Sequence, residues 1–564
     1  MQWYELNSGP LRSLKVLLDT PLSFNSLEYL DRTFTNKGIE VEPELRELCE
    51  IFESTRLELL KGVSGVSFYL SQTGKLNPGN FELSTRPIRA IYKDFVENDS
   101  GLIEKVCDAT NLQIDRLLES FGVKACHSDR INENMSNFIS FYLLSEAVFL
   151  SLVGMVKIKI SHDTIELAPK NDYVVKQLHR KWFANYWEHC SSLSSLAYLD
   201  LLEPGIESDS HFPALIEIFA TQFQDKIFSL PNDKLPNRVK RLASIQWAMK
   251  LCKLTVLCLW CQLKGKMNYA PLNLIQKIGI SAEDLTLLST MLENYPEPDR
   301  IFTLRSTGVS LVNPSMTDQL RLILNDLANE LSEKNLNNIL GKFFENEHVK
   351  GHFGKSDLAD KYTVYDGVLP HQIKNTELNP DVDFILRDRR RNRYYFIQVK
   401  YLKIGGKNYI SGDLDHIVSG KLIKGIKQIS DAKTALNTDE FQSILESRGI
   451  IGANSDNSTF LLIHNIYNFD FCKWPSGVLS YEWNSIRNLF NDGQVISGYS
   501  KFIPNVSQLS RCLPLEEPDE VIEILMKKVP ESSFGKASTL FETDKVKLEV
   551  KLRGRKFIMS GLGL

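Results

Sequence analysis

The chain has 564 residues, 43% hydrophobic and 24% charged, the balance of an ordinary globular protein rather than a disordered or fibrous one. A net charge of −4 excludes a general polycation, so any nucleic-acid surface has to be a local patch. At about 100–200 residues per domain, this length accommodates three or four domains, each with its own core. The start, Met1-Gln-Trp-Tyr-Glu5, lacks a basic segment followed by an apolar run, so no secretory signal is expected. The most apolar long stretch, 242–263, is interrupted by Lys250 and Lys253 and reads as a buried helix, not a membrane span. Nine scattered cysteines, an odd number, suit reduced thiols and a cytoplasmic location.

Residues 1–170 read as a helical N-terminal domain. Leu45, Leu48, Phe52 and Leu59 share a helical face, and 138–153 forms a more buried helix. Val156, Ile158 and Ile160 then alternate with Lys157, Lys159 and Ser161 as the first arm of a hairpin that returns through 164–167. Residues 171–330 read as a second helical domain, with Trp182, Phe183, Tyr186 and Trp187 at helical spacing and expected to pack inward. Within it, 270–313 gives a helix, a glycine turn, a helix capped by Ser281 or Asp284, and a hairpin around 306–308. That order resembles a winged helix. Any helical hairpin beside a β-ribbon gives the same pattern, so DNA reading and simple packing both stay open.

From residue 331 the pattern turns mixed, and 331–475 reads as one α/β domain in the order α-β-β-β-α-β with a mixed central sheet. In its first helix Leu336, Ile339, Leu340 and Phe343 fall at i, i+3, i+4 and i+7. A short strand, 362–365, follows. In 381–386, period-two alternation sends Val382, Phe384 and Leu386 to one face and Asp381 and Asp383 to the other. Burying two like charges is costly unless something cationic sits with them. After an arginine-rich turn, the β-prone run 394–401 puts Phe396, Gln398 and Lys400 on one face and Ile397 and Val399 on the other. A hairpin of these two runs brings Asp383, Gln398 and Lys400 together. A helix in 414–436 and an apolar strand in 459–467 complete the order, and 476–564 forms a C-terminal extension without a legible role.

Glu345 on the first helix, Pro380-Asp-Val-Asp383 on one strand and Gln398-Val-Lys400 on the next resemble the PD-(D/E)xK, or restriction-endonuclease-like, nuclease superfamily, over about 140 of the 564 residues. The acid that usually stands two residues before the lysine is here Gln398, a variant known among Mrr-type members of the superfamily. The resemblance implies phosphodiester hydrolysis with Mg²⁺ or Mn²⁺. Asp383 would be the main metal ligand, helped by Gln398, the Val399 carbonyl and Glu345, while Lys400 would orient water and stabilise developing charge. Asp381 either assists at the rim or is a solvated strand-entry residue. An amide oxygen ligates a hard cation without adding charge. The alternative is therefore a catalytically inactive nuclease-fold module that binds nucleic acid or a protein partner.

Charge geography fits a polyanion. Between Arg387 and Lys433 there are twelve lysines and arginines against four acids, a net of +8. Arg389, Arg390, Arg391, Arg393, Lys403, Lys424 and Lys427 are the candidate nucleic-acid contacts, although arginines at a hairpin tip can simply be solvated. Cys258 and Cys261 have zinc-like spacing but no second pair, and read as core. His348 and His352, at i and i+4 after Glu345, could form a metal face, yet no third ligand is dictated. Together these features point to a multidomain nuclease acting on DNA in the first place, with no membrane role. By analogy only, it would be a bacterial restriction or anti-phage effector, acting as a homo-oligomer or with a defence-system partner.

Overall fold

The structure, a computed structural model, describes residues 24–73, 141, 144–145, 147–178, 180, 183–184, 199, 202–203, 205–230, 235–263, 269–294, 300–311, 316–333, 335–374, 377–402, 416–417, 420–466, 469–492, 515–527, 547–552 and 554–562. Helix and sheet are both extensive, and among the described residues no helix is long and apolar enough to cross a membrane.

The first region opens with helices α1 (Ser26–Thr33) and α2 (Pro43–Thr73). Asn25 caps α1 by accepting the Glu28 N–H at 3.0 Å. The expected hairpin is present as β1 (Val156–Ser161) and β2 (Thr164–Pro169), paired antiparallel. Its sheet is closed by the far end of the chain. Strands β12 (Lys547–Leu552) and β13 (Arg555–Ser560) form a second hairpin, and β13 runs parallel to β2. Phe557 and Met559 pack with Ile165, Leu167 and Phe52 in one core. The segment 476–564 is thus not a single extension, because its last strands belong to the N-terminal unit.

The second region is built on α3 (Phe212–Phe228) and α4 (Ala243–Leu263), which share a core with the winged-helix-like unit. That unit is β3 (Ala270–Pro271), α5 (Leu272–Lys277), α6 (Ala282–Glu293), β4 (Phe302–Arg305) and β5 (Gly308–Leu311), with strand order β3-β5-β4. Gly279, at φ 86°, makes the turn between the helices. Ser281 and Asp284 form a reciprocal capping box at the start of α6. The exposed positions of α6 include Glu283, Thr286, Thr290 and Glu293, and the helix has no lysine or arginine, a poor surface for reading DNA. Helix α7 (Met316–Glu330) completes this core. Cys252, Cys258 and Cys261 are buried in it, as their apolar surroundings suggest. Phe183 packs inward too, but on the third region, 5.1 Å from Phe471, while Trp182, Tyr186 and Trp187 lie outside the described residues.

The third region is a six-stranded mixed sheet in the order β10-β11-β9-β8-β7-β6. It begins with α8 (Leu336–Phe343), which runs directly into a π-helical turn, Phe344–Val349. Then come β6 (Tyr362–Val368), β7 (Val382–Asp388) and β8 (Arg393–Lys400), antiparallel in sequence. Helices α9 (Lys421–Ala435) and α10 (Asp439–Ser447) make the crossover to β9 (Ser458–His464), which pairs parallel with β8. In chain order these elements run α8, β6, β7, β8, α9, α10 and β9, and the sheet does not stop at residue 475. The sheet continues through β10 (Cys472–Lys473) and β11 (Leu479–Glu482), and β11 is parallel to β9. Helices α11 (Trp483–Asp492) and α12 (Pro518–Lys527) cover one face together with Phe344 and Phe353, while α9 and α10 cover the other. The acid in Leu-Ser-Tyr-Glu482 hides β11 from a hydropathy reading: Glu482 is buried as the cap of α11, accepting the Asn484 and Ser485 N–H groups at 2.7 and 3.2 Å.

Trp483 is fully buried against Phe353, His348 and His352. Trp483→Ala should lower the unfolding free energy of the sheet region by roughly 3–5 kcal/mol in urea denaturation; a loss below about 1 kcal/mol would show that residues past 475 are not part of this core.

Candidate active site

Site geometry starts from a slip in β7. Phe384 and Leu386 pack on the α11 face, but Val382 packs with Ile385 and Phe396 on the α9 face, so the alternation expected for Val382, Phe384 and Leu386 breaks at Asp383. Beside it, a Cβ added at Gly367 of β6 would overlap the Val382 carbonyl oxygen, so glycine lets the neighbouring strand follow the slip. The β7–β8 ladder ends at Phe384–Ile397. Beyond that pair the Asp383 side chain takes over, its Oδ2 accepting the Val399 N–H at 2.5 Å. In an antiparallel ladder the N–H and C=O of one residue face the same neighbour, so the Val399 carbonyl faces this wedge as well.

Three charged side chains meet Asp383 there. Burial and the field of Glu345 push its carboxyl up to about 7, against the Val399 hydrogen bond and the Lys400 ammonium, with Asp381 adding to the rise. Glu345, on the π-helical turn, is raised as well, first by burial; Asp381 adds to the rise, and Lys400, Lys350 and Lys342 oppose it. Asp381 accepts a hydrogen bond from Gln428 of α9 at 2.7 Å. Helix α9 comes this close because residue 425 is glycine: an added Cβ would lie 2.8 Å from Leu462 Cδ1 and 3.0 Å from Lys400 Cγ. Gln398 is fully buried, and among the described residues neither its Oε1 nor its Nε2 has a hydrogen-bond partner. An orphaned buried amide costs about 1–3 kcal/mol and asks for a ligand.

The structure thus places Asp383 in the fields of Glu345, Lys400 and Asp381, and Glu345 in those of Lys400 and Asp381, with Val399 bonded to Asp383 and Gln398 the residue before it on β8. The arginine turn is different. Arg389, Arg390 and Arg391 lie in the turn before β8 and Arg393 is its first residue, about 23 Å of strand from Lys400 at ~3.3 Å per residue. There Asp388 accepts the Arg390 and Arg391 N–H groups at 2.9 and 3.1 Å, Arg389 donates to Thr363, and Arg393 pairs with Glu516 at 3.1 Å. These arginines hold a hairpin tip and do not converge on the pocket. Lys424 and Lys427 are exposed on α9, and Lys421, Lys424 and Gln428 form one stripe at i, i+3 and i+7. Lys403 lies outside the described residues. His348 and His352 turn away to Trp483, and His352 Nε2 meets Asn491 Oδ1 at 2.7 Å, so they do not form a metal face.

Sequence reasoning misses Gln428 and His464. His464 sits opposite Lys400 in the parallel β8–β9 register, is fully buried, and is pushed down to about 3 by burial, so it stays neutral. Its place at the end of an apolar strand beside a site lysine is visible only once strand order is known. The adjacent Asn465 holds the chain after Lys400 by bonding both Leu402 N (2.7 Å) and Leu402 O (3.1 Å).

Among the described residues no group of three or more His, Cys, Asp or Glu side chains is placed to hold a metal ion. The donor types nevertheless suit a hard cation: half-buried Asp383 and Glu345, the orphaned Gln398 amide oxygen and a main-chain carbonyl, all oxygen, with waters completing the shell as Mg²⁺ prefers. The chain matches no family model, no curated protein and no solved structure.

Because the folded state favours the Asp383 proton, the stabilisation this gives is complete below pH 3.8 and is lost as pH rises through about 7. Asp383→Asn, which never ionises, should therefore unfold at higher urea than wild type near pH 8 without divalent ions, while at about pH 4 the two converge. Equal midpoints at both pH values would mean that Asp383 is not held in a desolvated pocket.

Proposed function

We propose that the chain is a metal-dependent nuclease that hydrolyses phosphodiester bonds, with DNA as substrate, at the pocket of Asp383, Glu345, Gln398 and Lys400. The observation that carries this reading is the half-buried Asp383 carboxyl, bonded to the Val399 N–H and raised to about 7 with Glu345 in its field and a lysine on the next strand. A charge set of this kind favours a proton or a divalent cation at neutral pH. Asp383, Glu345, the Gln398 Oε1 and the Val399 carbonyl would hold Mg²⁺ or Mn²⁺. Bound there, the ion would polarise the scissile phosphate and lower the pKa of a coordinated water. Lys400 would orient the attacking water and meet the charge growing on the phosphate oxygens. Lys342 and Lys350, near Glu345, and Lys421, Lys424 and Lys427 on α9 supply phosphate contacts from two sides. The large helical region would restrain cutting, as a restriction or anti-phage effector requires.

One observation favours a second reading. Gln398 is neutral and fully buried, so the site has one fewer negative charge than a carboxylate would give. That suits a nuclease fold retained for binding nucleic acid, or a protein partner, without cutting.

Incubation with plasmid, linear duplex, single-stranded DNA and RNA, in Mg²⁺ or Mn²⁺, separates the two. Wild type should cut DNA, and Lys400→Ala and Asp383→Ala should each lose roughly 10²–10³-fold in rate. Undiminished cutting by both variants would overturn the assignment of the site; salt-sensitive binding without cutting by wild type would favour the second reading.

A further inference from the structure

Glu345 shares its π-helical turn with His348, and His348 makes a contact that the pocket itself does not need. Its imidazole is buried, with Nε2 3.4 Å from Asp225 Oδ1 in the last turn of α3. Arg487 of α11 reaches the other Asp225 oxygen at 3.3 Å. Although burial opposes it, the close approach of His348 and the Arg487 charge hold the Asp225 carboxyl down to about 2. It is therefore ionised at neutral pH. Lys226 beside it is pushed down to about 8 by burial and Arg487, with Asp225 and Glu482 opposing.

The same turn of α3 also touches the other side of the pocket. Tyr401, the residue after Lys400, donates its hydroxyl to Phe228 O at 3.1 Å, and its ring lies 5.4 Å from Phe344. Arg321 of α7 donates to Ile227 O at 2.5 Å. One helix end, belonging to the helical core, thus meets both the turn that bears Glu345 and the strand end that bears Lys400.

That turn needs holding. Glu345 raises the cost of ionising Asp383, and the turn that bears it, Phe344–Val349, is π-helical, a one-residue insertion that tertiary contacts maintain. Relaxation to regular α-helical register would rotate Glu345 by about 100° relative to the residues after it, out of the field of Asp383. Resting on the reading of this pocket as a cation site, we propose that Asp225 is a positioning residue: through His348 it holds the turn bearing Glu345, and so lets the helical region set the divalent-cation affinity of the pocket.

The test uses the full chain with Asp225→Asn and, for rescue, Asp225→Glu. Mn²⁺ binding is followed by electron paramagnetic resonance, and amide exchange is followed without metal. Asp225→Asn should weaken Mn²⁺ binding roughly 10-fold and speed exchange in 344–349, while β8 stays protected and Asp225→Glu recovers most of the affinity. Unchanged Mn²⁺ affinity with unchanged exchange would overturn the proposal, as would faster exchange spread evenly over the chain. If wild type binds no Mn²⁺, the reading of the pocket fails, and exchange in 344–349 alone decides whether Asp225 holds the turn. Should Asp225→Asn not fold, His348→Gln takes its place, with the same two measurements deciding for or against the proposal in the same way.

Discussion

A half-buried carboxyl group, placed where one strand leaves its neighbour, is the constraint around which this region is arranged. At Asp383 the β7 backbone no longer pairs with β8, and the side chain takes the Val399 N–H instead. One hydrogen bond and one nearby ammonium do not offset the burial and the second carboxyl, because Asp383 still sits at about 7. The pocket therefore retains a demand for positive charge. A proton meets it in acid, and a divalent cation would meet it at neutral pH.

The surrounding packing tightens that demand. Gly425 brings α9 against Lys400, and Gln428 fixes Asp381 at the pocket's edge. On the opposite face, Phe344 and His348 pack among Tyr401 and Trp483 and keep Glu345 near the sheet end. The helical core reaches this turn through Asp225. Chemistry and control would then meet within a single turn of helix. In the first region, a C-terminal strand completes the sheet of the 156–169 hairpin, where β13 lies along β2.

Local pattern carries much of this. Period-two spacing is enough to place Gln398 and Lys400 on one face of β8, and the 3.6-residue pattern points to α8 within 335–345 and α9 within 414–436. The capping box at Ser281 is legible because its partners are three residues apart. What stays hidden depends on distance along the chain or on irregular backbone. The slip at Asp383 defeats strict alternation, which puts Val382 on the wrong face. Strand β11 escapes because its acid is satisfied by helix N–H groups that no hydropathy scale represents. The arginines before β8 are close to Lys400 in number but lie at the opposite end of the strand, which charge counting ignores. Pairing of β13 with β2, and of Asp225 with His348, joins segments that share no local signal.

A crystal structure grown with Mn²⁺, read by the anomalous signal of the ion, tests the central claim most directly. The expected result is one peak in the wedge between β7 and β8, with an Asp383 carboxylate oxygen ~2.0–2.6 Å away and Glu345 bound directly or through a water. Strong Mn²⁺ sites elsewhere and none in the wedge, with Asp383 still bonded to Val399, would contradict it.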